Sequence, residues 1–183
     1  LILSLVKGPV RLAGGIIAIA GFAFGLISVS PDIHVSETSK LVAYKNADGD
    51  LTVSTRRSER FARDVWTRQH GYAAHKNDLM DGDMSSAQCD ENACRLSLKG
   101  QNISIITTLY NAEEECAWAH LIISDVPTRK TFRGNEQCKN ITVIDRFDTW
   151  RHGAHAIYLK PASIEIYRVS DLRPKRPWVL SYA

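Results

Sequence analysis

The sequence predicts an α+β domain, or a layered α/β/β/α arrangement, over residues 31–183, preceded by one transmembrane helix within residues 1–30. Three observations carry this reading. The run Leu12–Val29 holds no charged residue. From Lys40 onward, short β-forming runs alternate with turn residues. Three short helix signatures fall between those runs.

Leu12–Val29 is close to the roughly 20 apolar residues that cross a bilayer. It also lacks the polar stripe that a buried globular helix shows. Gly14, Ala18, Gly21 and Gly25 fall on one helical face, and Gly21–Gly25 is a G-x-x-x-G pair. Small residues let helices approach closely in lipid, so the face suits packing against other spans. Lys7 and Arg11 precede the run, and no basic residue follows it until Lys40. The positive-inside rule therefore places the N-terminal end in the cytoplasm and residues 31–183 outside, which in a bacterium is the periplasmic side of the inner membrane. A cleaved signal peptide fits less well. Its apolar region is usually about 7–15 residues, and a cut after Ser30 would leave Pro31 at the new terminus. A chain opening on Leu1 rather than Met, with the apolar run Leu1–Val6 before the charges, reads as part of a longer protein.

Residues 31–183 number about 150, enough for one domain with a real core. The net charge of +3 owes two units to Lys7 and Arg11, leaving 21 basic and 20 acidic side chains in the domain. That balance lacks the basic excess of a dedicated nucleic-acid binder. Four cysteines, Cys89, Cys94, Cys116 and Cys138, read as disulfides in an oxidising compartment. The spacing favours Cys89–Cys94, closing a tight loop, and Cys116–Cys138, stapling a helix to a strand. Zinc ligation and free thiols are the alternatives, and C-x-x-x-x-C followed by two singles suits zinc poorly.

Within the domain, Lys40–Lys45 and Leu51–Thr55 flank an Asp-Gly turn and read as a hairpin. An amphipathic helix follows over Arg56–Gln69. Phe61, Ala62, Val65 and Trp66 form its apolar face, and Arg56, Arg57, Arg60, Arg63 and Arg68 spread over the other. This basic face is the candidate contact for single-stranded DNA; the plainer reading is a solvated face laced with ion pairs. Residues 71–88 read as a loop. Cys94–Lys99 and Ile103–Thr108 form a second hairpin around Gly100-Gln101-Asn102. Asn111 and Glu114 spell a capping box for a short helix. His120–Ser124 and Ile141–Ile144 are short strands, and Asp145 caps a helix over Arg146–His152 that Gly153 ends. Ala154–Leu159 and Ile164–Val169 form a third hairpin. The extended, proline-rich tail carries Trp178 as an anchor on the core.

Catalytic motifs are missing: the chain has no H-E-x-x-H, G-x-S-x-G, phosphate-binding glycine loop or G-x-G-x-x-G. No cofactor is expected. Asp145, Asp148, His152 and His155 are the one loose constellation that suggests a metal site, with surface and capping roles as the plainer reading. The sequons at Asn102 and Asn140 are short enough to arise by chance.

A set of segments in fixed order resembles the C-terminal end of ComEC-type competence proteins of alphaproteobacteria, the DNA-internalisation channels. They are the last span with Pro31-Asp32-Ile33-His34-Val35; Leu41-Val42-Ala43 with Asp48-Gly49-Asp50-Leu51; Arg60-Phe61 leading to Trp66; Cys89-Asp90 with Ala93-Cys94; Glu115-Cys116 leading to His120-Leu121-Ile122-Ile123; Val143-Ile144-Asp145-Arg146-Phe147; His152-Gly153-Ala154-His155-Ala156; and Lys175-Arg176-Pro177-Trp178. The resemblance implies a polytopic inner-membrane protein that passes single-stranded DNA to the cytoplasm, of which this chain is the final span and an extracytoplasmic domain. It also implies a metallo-β-lactamase-like fold for that domain. The chain lacks the His-x-His-x-Asp-His string that would hold two metals and activate water for phosphodiester cleavage. The implied fold is thus a degenerate one, without metal or nuclease residues. The expected partners are the membrane, upstream spans of the same protein and single-stranded DNA. A membrane-anchored interaction module and a metal-dependent nuclease with an unconventional site are the alternatives.

Overall fold

The structure, a computed structural model, describes residues 10–26, 29–46, 49–55, 59–71 and 87–173. The chain divides into two compact units, Leu1–Ser30 and Pro31–Ala183.

The first unit is a single helix, α1 (Val10–Leu26), of 17 residues. At 1.5 Å per residue it is about 26 Å long, against a hydrocarbon core of about 30 Å. Among the described residues no helix is long and apolar enough to cross a membrane. Within the expected run Leu12–Val29 the described helix extends to Leu26, and residues 27 and 28 lie outside the described set. Its large apolar side chains Ile16, Ile17, Ile19, Phe22 and Phe24 are exposed.

The second unit is α+β, built on two five-stranded sheets. The strands of the first are β1 (Ile33–Val35), β2 (Val42–Lys45), β3 (Leu51–Val53), β9 (His155–Lys160) and β10 (Ser163–Arg168), in the order β10-β9-β1-β2-β3. Every pairing in it is antiparallel. The second sheet holds β4 (Ala87–Cys89), β5 (Ala93–Leu98), β6 (Gln101–Ile106), β7 (Leu121–Ser124) and β8 (Thr142–Ile144), in chain order. Its β4–β5–β6 part is antiparallel, and β6–β7–β8 is parallel.

Side-chain alternation explains the layering. In β1, Ile33 and Val35 point to the shared core with Tyr44, Ile157 and Leu159, and meet Leu96, Ile103, Leu121 and Ile123 of the facing sheet. Alternate residues of β2 and β3 point the other way. Ala43, Leu51 and Val53, with Leu41 just before β2, form a second cluster under Ala62 and Trp66 of helix α2 (Arg60–Gln69). On the far side of the second sheet, Ala93, Ile106 and Ile122 are covered by Ala112, Cys116, Phe132 and Cys138. These come from a 3-10 helix (Ala112–Ala117), a short helix α3 (Arg129–Phe132) and a 3-10 turn (Glu136–Cys138). The order across the unit is therefore helix, sheet, sheet, helix. Helices α4 (Arg146–His152) and α5 (Val169–Leu172) close its end.

Several local expectations shift. The β5–β6 turn is Lys99-Gly100, two residues with positive φ (51° and 79°), which is the two-residue hairpin geometry that glycine favours. The loop read over 71–88 gives way to strand β4 at Ala87; residues 72–86 lie outside the described set. Asn111 does not cap. It sits in the left-handed region with no side-chain bond, and the helix after it is 3-10. The Asp145 cap is complete: its carboxylate accepts from the Phe147 and Asp148 amides, and the Asp148 carboxylate accepts from the Asp145 amide. Gly153 ends α4 at φ 76°, and a Cβ there would stand 3.2 Å from Val169 Cβ, so the site excludes larger residues twice over.

Candidate functional site

The three parallel strands run side by side and stop together, so Thr107, Asp125 and Asp145, each just past its strand, gather at one end. Carboxyl ends of parallel strands are where open α/β sheets place ligands. A cavity of about 360 Å³ opens there, floored by Val42, Cys94 and Ile105 and rimmed by Lys40, Thr107 and Asp125. Burial raises the Asp125 carboxyl above its usual range, against a backbone hydrogen bond and the charges of Lys40 and Arg146. Ser39, on the same rim, shares a 2.8 Å hydrogen bond with Thr149 of α4, which joins the cavity wall to the capped helix.

The four residues of the expected metal constellation do not assemble as ligands. Asp145 spends one oxygen on its own helix, and its other lies 3.8 Å from the Arg129 Nε. Asp148 receives Arg129 Nη2 at 2.5 Å. His152 Nδ1 pairs with the Ser170 hydroxyl at 3.3 Å. His155 is buried on β9, and burial lowers its pKa. Among the described residues no group of three or more His, Cys, Asp or Glu side chains could hold a metal ion. Sequence reading passed over Asp125, although a buried strand ending in Ile122-Ile123-Ser124-Asp125 is a usable signal.

The basic helix begins at Arg60, and Arg56 and Arg57 lie outside the described residues. Arg60 and Arg68 are exposed, whereas Arg63 is mostly buried and meets Asp64 at 3.3 Å. Of the three described arginines of the helix, Arg60 and Arg68 face solvent. The apolar face is also divided. Ala62 and Trp66 pack on the sheet, while Phe61, 83 % exposed, and Val65 face outward. A heptad-like count could not make that division, because four apolar residues span more arc than one short sheet covers.

At the C-terminal end of α2, His70 caps the helix and turns its ring toward His34 of β1, with Nε2 atoms 3.1 Å apart. His34 is buried and stacks on Trp66, ring centroids 5.1 Å apart. Burial, then the neighbouring His70 and Lys45 charges, lower its pKa to about 4. Sequence reading found these histidines only as scattered singles, because 36 positions separate them.

All four cysteines are joined, Cys89 to Cys94 and Cys116 to Cys138. The first bond links partners directly opposite across β4 and β5. The second joins the two 3-10 segments rather than a helix to a strand.

No protein-family model matches the chain, and no curated protein or solved structure matches it either.

Proposed function

We propose that the chain is the C-terminal part of a ComEC-type DNA-uptake protein: a final membrane helix and a disulfide-stapled, non-catalytic extracytoplasmic domain that supports the channel or guides incoming single-stranded DNA. The observation that carries this reading is the pair of disulfides, since such bonds persist in oxidising compartments. Two of the segments that resemble the family support it as well, because they fall at structural joints. Asp32 accepts from the Leu159 amide at 2.8 Å and pairs with Lys99 at 2.7 Å, tying the start of β1 to both sheets. Val143–Phe147 forms the last parallel strand and the helix cap after it.

The helix–sheet–sheet–helix layering is the order expected of a degenerate metallo-β-lactamase-like domain. Asp145 and Asp148 serve the cap of α4 and Arg129, which favours support over hydrolysis. The exposed apolar side chains Ile16, Ile17, Ile19, Phe22 and Phe24 of α1 favour a place in lipid, with Lys7 and Arg11 at its N-terminal end holding that end inside. DNA contact falls to Arg60 and Arg68, acting through phosphate charge.

The experiment is fluorescence anisotropy of labelled single-stranded DNA on the full chain in detergent. Binding should weaken steeply with salt, with a slope of log K on log salt of about −0.7 per phosphate contact. Replacing both Arg60 and Arg68 by Ala should flatten that slope by about 1.4. Salt-insensitive binding, or cleavage of the strand, overturns the reading.

A further inference from the structure

We propose that His34 and His70 form a two-histidine site for a divalent transition metal ion, on the outer face of the antiparallel sheet at the end of α2. The geometry is the first ground. Metal–imidazole bonds of about 2.05 Å put two nitrogens about 2.9 Å apart at a 90° angle and about 3.4 Å apart at a tetrahedral one. The His34 and His70 Nε2 atoms stand 3.1 Å apart, between those limits. Each ring turns its Nε2 toward the other, with the ring planes at 78°.

Both ligands are also placed before any ion arrives. β1 is held between β2 and β9, with His34 in register with Ala43 and Ala156. His70 is fixed by its backbone N–H, which donates to the Trp66 carbonyl at 3.1 Å. Trp66 stacks on the His34 ring, so one flank of the site is aromatic and closed. His70 is only half-buried, which leaves the other flank to water and further ligands. Imidazoles ligate in their neutral form, and burial lowers the pKa of both rings. Lys45 is the charged group that faces the pair, and its repulsion weakens any cation there. That repulsion acts on every divalent ion alike, and among divalent first-row metals copper forms the strongest imidazole bonds, which makes it the probe of choice.

The rival occupant of the same distance is a proton shared between two neutral rings. The two are separated by a copper(II) titration of the full chain, without a histidine tag, in detergent at pH 7. Copper(II) quenching of tryptophan fluorescence and copper retained after desalting are the readouts. The expected result is one retained equivalent with quenching of Trp66, both lost in His34→Gln and His70→Gln and both kept in His152→Gln and His155→Gln. Because His34 is buried, His70→Gln with an unchanged circular dichroism spectrum is the deciding variant. No retained copper, copper undiminished in His70→Gln, or copper lost only with His152 or His155, overturns the site. The outcome is independent of whether the chain binds DNA.

Discussion

Arg95 grips Glu115 with two nitrogens, Nε on Oε2 at 2.9 Å and Nη2 on Oε1 at 2.7 Å, and Ser104 adds its hydroxyl at 2.8 Å. Glu115 is buried under the 3-10 helix, whereas Arg95 is partly open and lies 5.8 Å over the Trp118 ring. Two neighbouring strands of the second sheet thus anchor its helical cover through one carboxylate. Arg95→Ala would strand that carboxylate with a single partner and should cost about 2 kcal/mol in urea unfolding. An unchanged midpoint would show that this ion pair contributes nothing to holding the layer.

The Cys116–Cys138 bond closes a 22-residue separation across that same layer. Loop-closure entropy for such a ring is worth about 3 kcal/mol, and about 2 kcal/mol for the five-residue separation of Cys89 and Cys94. Cys116→Ser with Cys138→Ser should therefore lower the unfolding midpoint more than the matching Cys89 and Cys94 pair does. Differential scanning calorimetry of the two double variants checks the order, and the reverse order would contradict it.

Acid should loosen the end of the domain where α4 begins. Burial alone would raise the Asp148 carboxyl, but the Arg129 hydrogen bond and the Asp145 amide outweigh it and hold the pKa below its usual value. A carboxylate depressed in the fold contributes stability above its unfolded pKa of about 3.9 and loses it as pH falls through the folded value. Melting temperature should thus fall on acidification below about pH 4, and Asp148→Asn should lessen that fall. Equal acid sensitivity in the variant would contradict the pairing.

Much of the fold was legible because its signals are local. Asp145 to Gly153 reads correctly since a cap, a helix and a stop lie within nine residues whose capping bonds are to one another. The hairpins read correctly for the same reason, apart from a shift to the Lys99-Gly100 turn. Asn111 misled because cap residues also favour the left-handed region, and there its side chain is turned away from the amides it would cap. The candidate sites were less legible. Asp125 and Asp145 reach the same end of the sheet only because β7 and β8 run parallel, and His34 meets His70 only because α2 packs back over β1. Neither encounter leaves a spacing in the sequence. Phe61 and Val65 show the remaining limit: periodicity groups them with Trp66, but the breadth of the sheet decides which of them it covers.

The central claim, a domain held outside the cytoplasm with its sulfurs bonded, is tested most directly by counting thiols in the native protein. Cells making the full chain are quenched in acid, and the denatured protein is treated with a polyethylene-glycol maleimide, with and without prior reduction. The account predicts no added mass without reductant and four adducts after it, one for each of the cysteines found bonded. Four adducts on the unreduced protein would contradict it.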